Sequence, residues 1–189
     1  MSWRVLATSR AFWDHGLEAQ KVLADAGCEL VRPDYFARYP SQELIRLLQG
    51  CDAVLASSER YTAEVFEACP DLKIVSRVGV GYDAVDVDAA TQAGVVCANT
   101  PGAMVDAVAD FAVGLIIACA RRITELDRIV HDGGWDELCG TLVCGKTLGI
   151  VGYGQIGRAV ARRMAGFEMR ILACDPNVAE PTDPPAEIV

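Results

Sequence analysis

Three glycines near the carboxyl end of the chain are spaced as a backbone cradle for a phosphate. Gly152, Gly154 and Gly157 follow the G-x-G-x-x-G spacing, directly after the apolar run 147–151 and before a stretch of helical periodicity. In a strand-turn-helix unit, Gly152 allows the tight turn, Gly154 lets a diphosphate approach the backbone, and Gly157 lets the helix pack close to the strand. The spacing therefore predicts chemistry in which main-chain N–H groups hold an anionic cofactor.

The residues around this cradle indicate which cofactor it holds. The N–H groups of the helix start, around Gln155 and Ile156, would bind the diphosphate. A second apolar strand at 169–174 ends on Asp175, whose carboxylate would accept hydrogen bonds from ribose hydroxyls and repel a 2′-phosphate. No arginine stands at 176 or 177, so the pattern predicts NAD rather than NADP. Glycines alone are also typical of plain turns, but the complete order of strand, turn, helix, strand and acid favours a dinucleotide.

Composition and charge exclude several classes of function. The 189 residues are 52% hydrophobic and carry a net charge of −9, so a nucleic acid or an anionic membrane surface would be repelled. The longest apolar run, 111–120, is too short to cross a bilayer. The first seven residues predict a strand rather than a secretion signal. We therefore expect a cytoplasmic protein.

The cysteines and histidines do not predict a metal site. The eight cysteines include no C-x-x-C pair, and there are only two histidines, His15 and His131. A chain this apolar has no need of disulfides, so we expect most of the cysteines to be small buried side chains in a reducing compartment.

The elements that position the cradle alternate between strand and helix. Strands are expected at 3–8, 28–31, 53–56, 72–76 and 95–98, and helices at 12–26, 62–69 and 87–93. A further helix is expected between Ser41, as its amino-terminal cap, and Gly50, which ends it. Such alternation predicts an α/β fold with a parallel sheet covered on both faces.

A boundary follows at 99–102, where Pro101 bars a helix before it. We divide the chain into a first domain, 1–99, and a second, 100–189. The second begins with one long helix, 103–130, whose middle is apolar nearly all round. That helix is expected to be buried on more than one side, at a domain junction or a subunit interface. Gly166 is the expected stop of the cradle helix, and the proline-rich segment 176–189 predicts an extended loop.

Four stretches of the sequence together resemble the D-isomer-specific 2-hydroxyacid dehydrogenases. They are RVGVGYDAVD at 77–86, GVVCANTPG at 94–102, AVAD at 107–110 and GKTLG at 145–149. The resemblance covers essentially the whole chain, and phosphoglycerate dehydrogenases are the members it resembles most. It implies a flavodoxin-like substrate domain followed by the first half of a Rossmann NAD-binding domain, with the active site in the cleft between them.

The resemblance also implies roles for individual residues. Val78 and Gly79 would present N–H groups to the carboxylate of a 2-hydroxy or 2-oxo acid, and Val80 would lie near the nicotinamide end of the cofactor. A glycine-rich loop at the end of a strand suits an anion in this way. A plain strand-to-helix turn is the alternative for 78–83, because Gly79 and Gly81 fit any tight turn.

For the helix at 103–130 the resemblance implies a homodimer interface, although periodicity alone fits an ordinary interdomain helix equally well. The Arg, Glu and His that family members use for catalysis would follow Val189, so we expect no catalytic residue in this sequence and little turnover from it alone. Half of a doubly wound sheet would also leave a strand edge open. The competing hypothesis is an NAD-binding regulatory or corepressor-like module. A flavodoxin-like domain with no nucleotide role fails to explain 152–175.

Overall fold

The computed structural model describes residues 2–179 and 182–189 and contains two compact units, Met1–Ala103 and Met104–Val189. The domain ranges 1–99 and 100–189, and the roles given to them, stay predictions. Both units are α/β with parallel strands, which confirms the predicted fold class.

The first unit has a five-stranded parallel sheet in the order β2-β1-β3-β4-β5. Its strands are β1 (Arg4–Ala7), β2 (Glu29–Val31), β3 (Ala53–Ala56), β4 (Ile74–Arg77) and β5 (Val96–Ala98). The central strands are buried: Leu6 pairs with Val54 and Val54 with Val75, and all three side chains are fully enclosed. Burial of each such side chain stabilises the fold by about 1.5–3 kcal/mol, so this apolar layer holds the strand ends in place.

Five helices accompany this sheet: α1 (Arg10–His15), α2 (Leu17–Asp25), α3 (Ser41–Leu48), α4 (Ala63–Ala68) and α5 (Val87–Gln92). The single helix expected at 12–26 is wrong, because the chain breaks at Gly16. A Cβ there would lie 2.4 Å from the carbonyl oxygen of Phe12. The capping role expected for Ser41 is also wrong: Pro40 is the cap position, and no side-chain capping hydrogen bond forms.

The second unit has a three-stranded parallel sheet in the order β6-β7-β8, with strands β6 (Thr147–Val151), β7 (Arg170–Cys174) and β8 (Glu187–Ile188). The extended loop expected at 176–189 is therefore partly wrong. Its end forms a strand because Glu187 pairs with Leu172 and its carboxylate meets Arg170 at 2.5 Å. Among the described residues β6 pairs only with β7, and Val151 is 93% exposed, so β6 leaves the open strand edge that the sequence predicts.

The long helix expected at 103–130 is two helices, α6 (Val105–Ala120) and α7 (Ile123–His131). Arg122 is left-handed, with φ 55°, and its guanidinium pairs with Glu125. The backbone N–H of Thr141, in a distant loop, donates a hydrogen bond to the carbonyl oxygen of Ala120 at 2.7 Å, and α6 ends at that residue.

The expected burial of α6 on more than one side, at a domain junction or a subunit interface, stays a prediction. One face packs on α8 (Gln155–Met164), where Ala109 is buried. The other face is open, with Phe111 69% exposed. The helix α8 ends at Met164, two residues before the stop expected at Gly166, and a separate 3₁₀ turn (Ala165–Phe167) follows it and ends at the left-handed Glu168.

Most of the cysteines are exposed, so the prediction that most are buried is wrong. Cys51 and Cys69 are buried, which raises the pKa of both thiols, and Cys28 is half-buried. The other five lie on an edge strand, at helix and strand ends or in loops, and all eight are free thiols. In the described part of the chain, no helix is long and apolar enough to cross a membrane. No cluster of three or more potential metal-ligating side chains occurs there either.

Candidate functional site

The cradle glycines form the turn between β6 and α8. Gly152 has φ 90°, a conformation that only glycine adopts readily, and its N–H donates to Cys174 O at 2.9 Å. The tight turn predicted for Gly152 is confirmed. Because that hydrogen bond reaches the neighbouring strand β7, the turn is fixed against the sheet as well as against the helix.

Gly157 is the contact between the helix and the strand. A Cβ at this position would lie 2.2 Å from Gly152 O, closer than Cβ atoms approach other atoms, and 3.2 Å from the Ile150 side chain, which is a tight contact. The predicted close packing of helix on strand is therefore confirmed. At Gly154 the space beyond Cα is open, because a Cβ there would meet no atom of the described residues within 4 Å other than those of its immediate chain neighbours.

The first turn of α8 leaves its N–H groups unpartnered. Gly154 is the cap position and makes no side-chain capping bond. In the described ranges 2–179 and 182–189, the N–H groups of Gly154, Gln155 and Ile156 have no acceptor. These N–H groups and the positive end of the helix dipole make an anion site. The open side of Gly154 gives an extended diphosphate room to reach it.

Asp175 stands at the carboxyl end of β7, directly beside the turn. Its Oδ2 accepts the Tyr153 N–H at 2.8 Å and its Oδ1 accepts the Asn177 N–H at 2.9 Å. Each carboxylate oxygen has a second lone pair, so the half-buried group retains capacity for ligand hydroxyls. The ribose contact assigned to Asp175 stays a prediction.

Two residues that stabilise the turn were not foreseen from the sequence. Tyr153 is fully buried and its hydroxyl donates to Pro184 O at 2.7 Å, while burial raises its pKa. The Arg158 guanidinium covers the Tyr153 ring and donates to Tyr153 O at 3.0 Å. The position between the first two glycines of the motif accepts many residue types, so nothing local predicts that its side chain points inward.

A second candidate region is residues 78–86 of the first unit, here called the glycine loop. Val78 N–H donates to Ala56 O and Gly79 N–H donates to Arg77 O, each at 2.9 Å. Gly79 has φ 143°, so the turn suits glycine. The carboxylate contact assigned to Val78 and Gly79 and the cofactor contact assigned to Val80 stay predictions. Across the described residues, the loop N–H groups without an acceptor include those of Val80 and Gly81.

Arg77 and Asn99 belong to this region but received no role from the sequence. The Arg77 guanidinium donates to Val78 O, and it lies about where a side chain on Gly79 would be. Asn99 donates to Val80 O at 2.8 Å. A cavity of about 250 Å³ is lined by Arg77, Asn99 and Tyr82 together with apolar side chains. A cation, free N–H groups and a small cavity suit a small carboxylate.

Neither histidine resembles a prepared proton carrier. His15 is exposed at the end of α1. His131 is exposed at the end of α7 and contacts Asp127, which is itself exposed. An imidazole that transfers protons in catalysis is normally oriented by a buried partner.

Comparison with known proteins places this geometry in a family. The model of the D-isomer-specific 2-hydroxyacid dehydrogenase catalytic domain matches residues 11–175. A glyoxylate reductase of Korarchaeum cryptofilum is 47% identical over 144 residues, which cover 72% of this chain and 43% of that protein. A hydroxypyruvate reductase of Thermotoga maritima is 42% identical over 150 residues, 78% of this chain and 49% of that protein.

Among solved structures, an NAD⁺-bound 3-phosphoglycerate dehydrogenase of Entamoeba histolytica superposes with a TM-score of 0.78 at 27% identity. The match covers 100% of this chain and 57% of that one. The chain therefore spans about half the length of the curated relatives it matches.

Gly157 and Gly154 should respond oppositely to the same substitution. Gly157→Ala forces a Cβ against Gly152 O, and such overpacking costs about 1–3 kcal/mol or more, against a helix-propensity gain of about 1 kcal/mol. Gly154→Ala meets open space and restricts the unfolded chain, which is worth about 0.4–1 kcal/mol where the conformation is compatible. Thermal unfolding followed by circular dichroism should show a lower Tm for Gly157→Ala and an unchanged or slightly higher Tm for Gly154→Ala. Equal Tm values for the two variants would contradict the packing described here.

Proposed function

Because the chain belongs to the D-isomer-specific 2-hydroxyacid dehydrogenase family, we propose that it carries two binding elements of an NAD-dependent oxidoreductase. The turn at 152–157 with Asp175 binds NAD, and the glycine loop binds a small 2-hydroxy or 2-oxo acid. The single observation that supports this most is the anion site at the start of α8. Its N–H groups are unpartnered, and the absence of a Gly154 side chain leaves it open.

The residues fit the dinucleotide in order along its length. The N–H groups of Gln155 and Ile156 bind the diphosphate, and Asp175 at the end of the adjacent strand binds the ribose of the adenosine. The bound nicotinamide supplies or accepts hydride at its ring. Asp175 also selects the cofactor, since a 2′-phosphate beside a carboxylate meets like-charge repulsion.

The substrate we propose is a small 2-oxo acid of the glyoxylate or hydroxypyruvate type. Support comes from the names of the two curated relatives and from the cavity of about 250 Å³ beside Arg77. Arg77 gives a charge-assisted contact to the carboxylate, and the N–H groups of Val80 and Gly81 add neutral donors. Phosphoglycerate stays a prediction, supported by one solved relative of that name.

Proton transfer is not assigned to any residue of this chain. His15 and His131 are exposed and lack a buried orienting partner, so we propose that the 189 residues bind both ligands but turn over little substrate. The alternative, an NAD-binding regulatory module, requires no organic acid at the glycine loop. Binding of the acid therefore distinguishes the two.

We further propose a cytoplasmic homodimer formed through the open face of α6 and α7. Five exposed free thiols suit a reducing compartment. The open face carries Val108, Phe111, Leu115, Ile123 and Val130, all exposed in the single chain. Several exposed apolar side chains on neighbouring helices are typical of a protein interface.

Cofactor binding should depend on Asp175 and Gly154. In NADH fluorescence titrations, Asp175→Ala removes charge-assisted hydrogen bonds worth about 1.5–3 kcal/mol, so NADH should bind roughly 10- to 100-fold more weakly. The affinity for NADPH should fall less in Asp175→Ala, because the repulsion between the carboxylate and the 2′-phosphate is removed as well. Gly154→Val should abolish NADH binding without unfolding the chain. Asp175→Asn is the matched control, since it keeps an acceptor for Tyr153 N–H. Unchanged NADH affinity in both Asp175→Ala and Gly154→Val would overturn the proposed site.

Acid binding should depend on Arg77 without affecting the cofactor. Glyoxylate added to ¹⁵N-labelled protein should shift the amide signals of Val80 and Gly81. Arg77→Gln should weaken this binding about tenfold, the value of one charge-assisted contact, and leave the NADH affinity unchanged. The absence of any glyoxylate-dependent shift at saturating ligand would favour the regulatory module.

NADH oxidation should be negligible with glyoxylate, hydroxypyruvate and 3-phosphoglycerate, and clear turnover of any of them would contradict the proposal about proton transfer.

Dimerisation should depend on Phe111. Phe111→Asp places a charge in the apolar face and should convert the dimer to a monomer in sedimentation velocity experiments. Leu17→Asp is the matched control, because Leu17 is exposed to a similar degree on α2 (74% against 69%) and lies outside the proposed interface. A Phe111→Asp variant that sediments as a dimer would show that association uses another surface, such as the open edge of β6.

A further inference from the structure

Glu59 is a buried carboxylate that none of the proposed binding steps uses. It is 1% exposed and is the one charged side chain buried among residues 2–179 and 182–189. Its Oε2 accepts Thr8 Oγ1–H at 3.0 Å and Ser57 N–H at 2.9 Å. A charge withdrawn from water in this way is retained only where other contacts compensate for it.

The position of Glu59 in the sheet is informative. Thr8 follows β1 and Ser57 follows β3, and these strands are neighbours in the order β2-β1-β3-β4-β5. The strand order reverses between β1 and β3. Open α/β sheets bind their ligands at such a point, in the crevice outside the carboxyl ends of the strands. Here the turn 57–61 enters the crevice, and the Glu59 carboxylate receives the donors that an external anion would otherwise use.

Ala56, the last residue of β3, and Tyr61, the last residue of the turn, hold the two ends of the glycine loop. At one end, Val78 N–H donates to Ala56 O at 2.9 Å. At the other end, Tyr61 N–H donates to Ala84 O and Asp86 N–H donates to Tyr61 O, each at 2.8 Å. The shape of the turn 57–61 therefore sets the separation of the two ends of the loop.

The polar atoms buried around Glu59 are only partly paired within the described residues. Glu59 Oε1, Tyr61 Oη and Thr62 Oγ1 are buried and have no hydrogen-bond partner among the described residues. Burial also raises the pKa of Tyr61 well above its ordinary value, with the Glu59 charge adding to the effect. Apolar residues of similar volume would avoid these unsatisfied atoms, which points to a role for the carboxylate other than stability.

We propose that Glu59 is a positioning residue: its carboxylate acts as an internal anion that occupies the β1/β3 crevice and fixes the turn 57–61, and through it the glycine loop. The consequence is that the crevice is closed to ligands and the free N–H groups of the loop remain as the anion site of the first unit. Only the ligand part of this inference rests on the proposed function.

Hydrogen exchange of the 189-residue chain tests the proposal without any ligand. In Glu59→Ala, the amides of Val78, Tyr61 and Asp86 should exchange about tenfold faster or more, as expected on loss of charge-assisted contacts. Formate, a carboxylate small enough for the space left by the side chain, should restore slow exchange, while chloride at equal ionic strength should not. Leu44→Ala is the control, because it removes a fully buried side chain of α3 without removing an anion, and formate should not affect it.

Equal exchange at these three amides in Glu59→Ala and Leu44→Ala, or no effect of formate, would overturn the proposal. Should Glu59→Ala fail to fold, Glu59→Gln and Glu59→Met make the same comparison with the space filled. Gln keeps an acceptor without the charge and should show exchange slower than Met, which lacks an acceptor, but faster than the wild-type chain; identical behaviour of Gln and Met also overturns the proposal. Glyoxylate titration then separates the claims, because failure of the wild-type chain to bind glyoxylate counts against the proposed function alone.

Discussion

The close approach of α8 to the end of β6 is the contact on which the proposed nucleotide site depends. Gly157 allows it by having no side chain, since a Cβ would fall 2.2 Å from Gly152 O. Gly152 in turn adopts φ 90°, which reverses the chain in so short a space. The result is that the first N–H groups of a ten-residue helix point into open space beside Gly154 rather than into protein.

The two anion sites that we propose use different physical means. In the second unit, helix N–H groups and the helix dipole would act together, and the Asp175 charge would repel a 2′-phosphate. In the first unit, the proposed donors are loop N–H groups and the Arg77 guanidinium, and Glu59 is proposed to fill the crevice between β1 and β3. Tyr153 and Glu59 are alike in one respect, because each is buried in its own unit beside a proposed binding turn.

The sequence predicts those parts of the structure that depend on short-range patterns. The order of strand, glycine turn, helix and strand from Thr147 to Cys174 is confirmed, because each of these elements is encoded within a few residues, whereas the role of Asp175 stays a prediction. The breaks at Gly16 and Arg122 were not predicted, since apolar periodicity continues through both. The break at Arg122 depends on Thr141, which lies in a distant loop and whose N–H donates a hydrogen bond to the carbonyl oxygen at the end of α6.

Strand pairing and exposure are likewise long-range properties. The segment at Glu187 forms a strand because Arg170 and Leu172 lie beside it. The proline-rich composition of the segment 176–189 does not reveal this pairing. The cysteines were misjudged for a related reason: residue type predicts average burial, whereas Cys97 is exposed because its strand is the sheet edge. In the site itself, Arg77 was visible in the sequence, but its contact with the glycine loop required the fold.

A crystal structure of the 189-residue chain with NAD⁺ tests the central claim most directly. We expect diphosphate oxygens within hydrogen-bonding distance, about 3 Å, of the N–H groups of Gln155 and Ile156, with the adenosine ribose on Asp175. A dinucleotide bound elsewhere, or a diphosphate turned away from the start of α8, would contradict it.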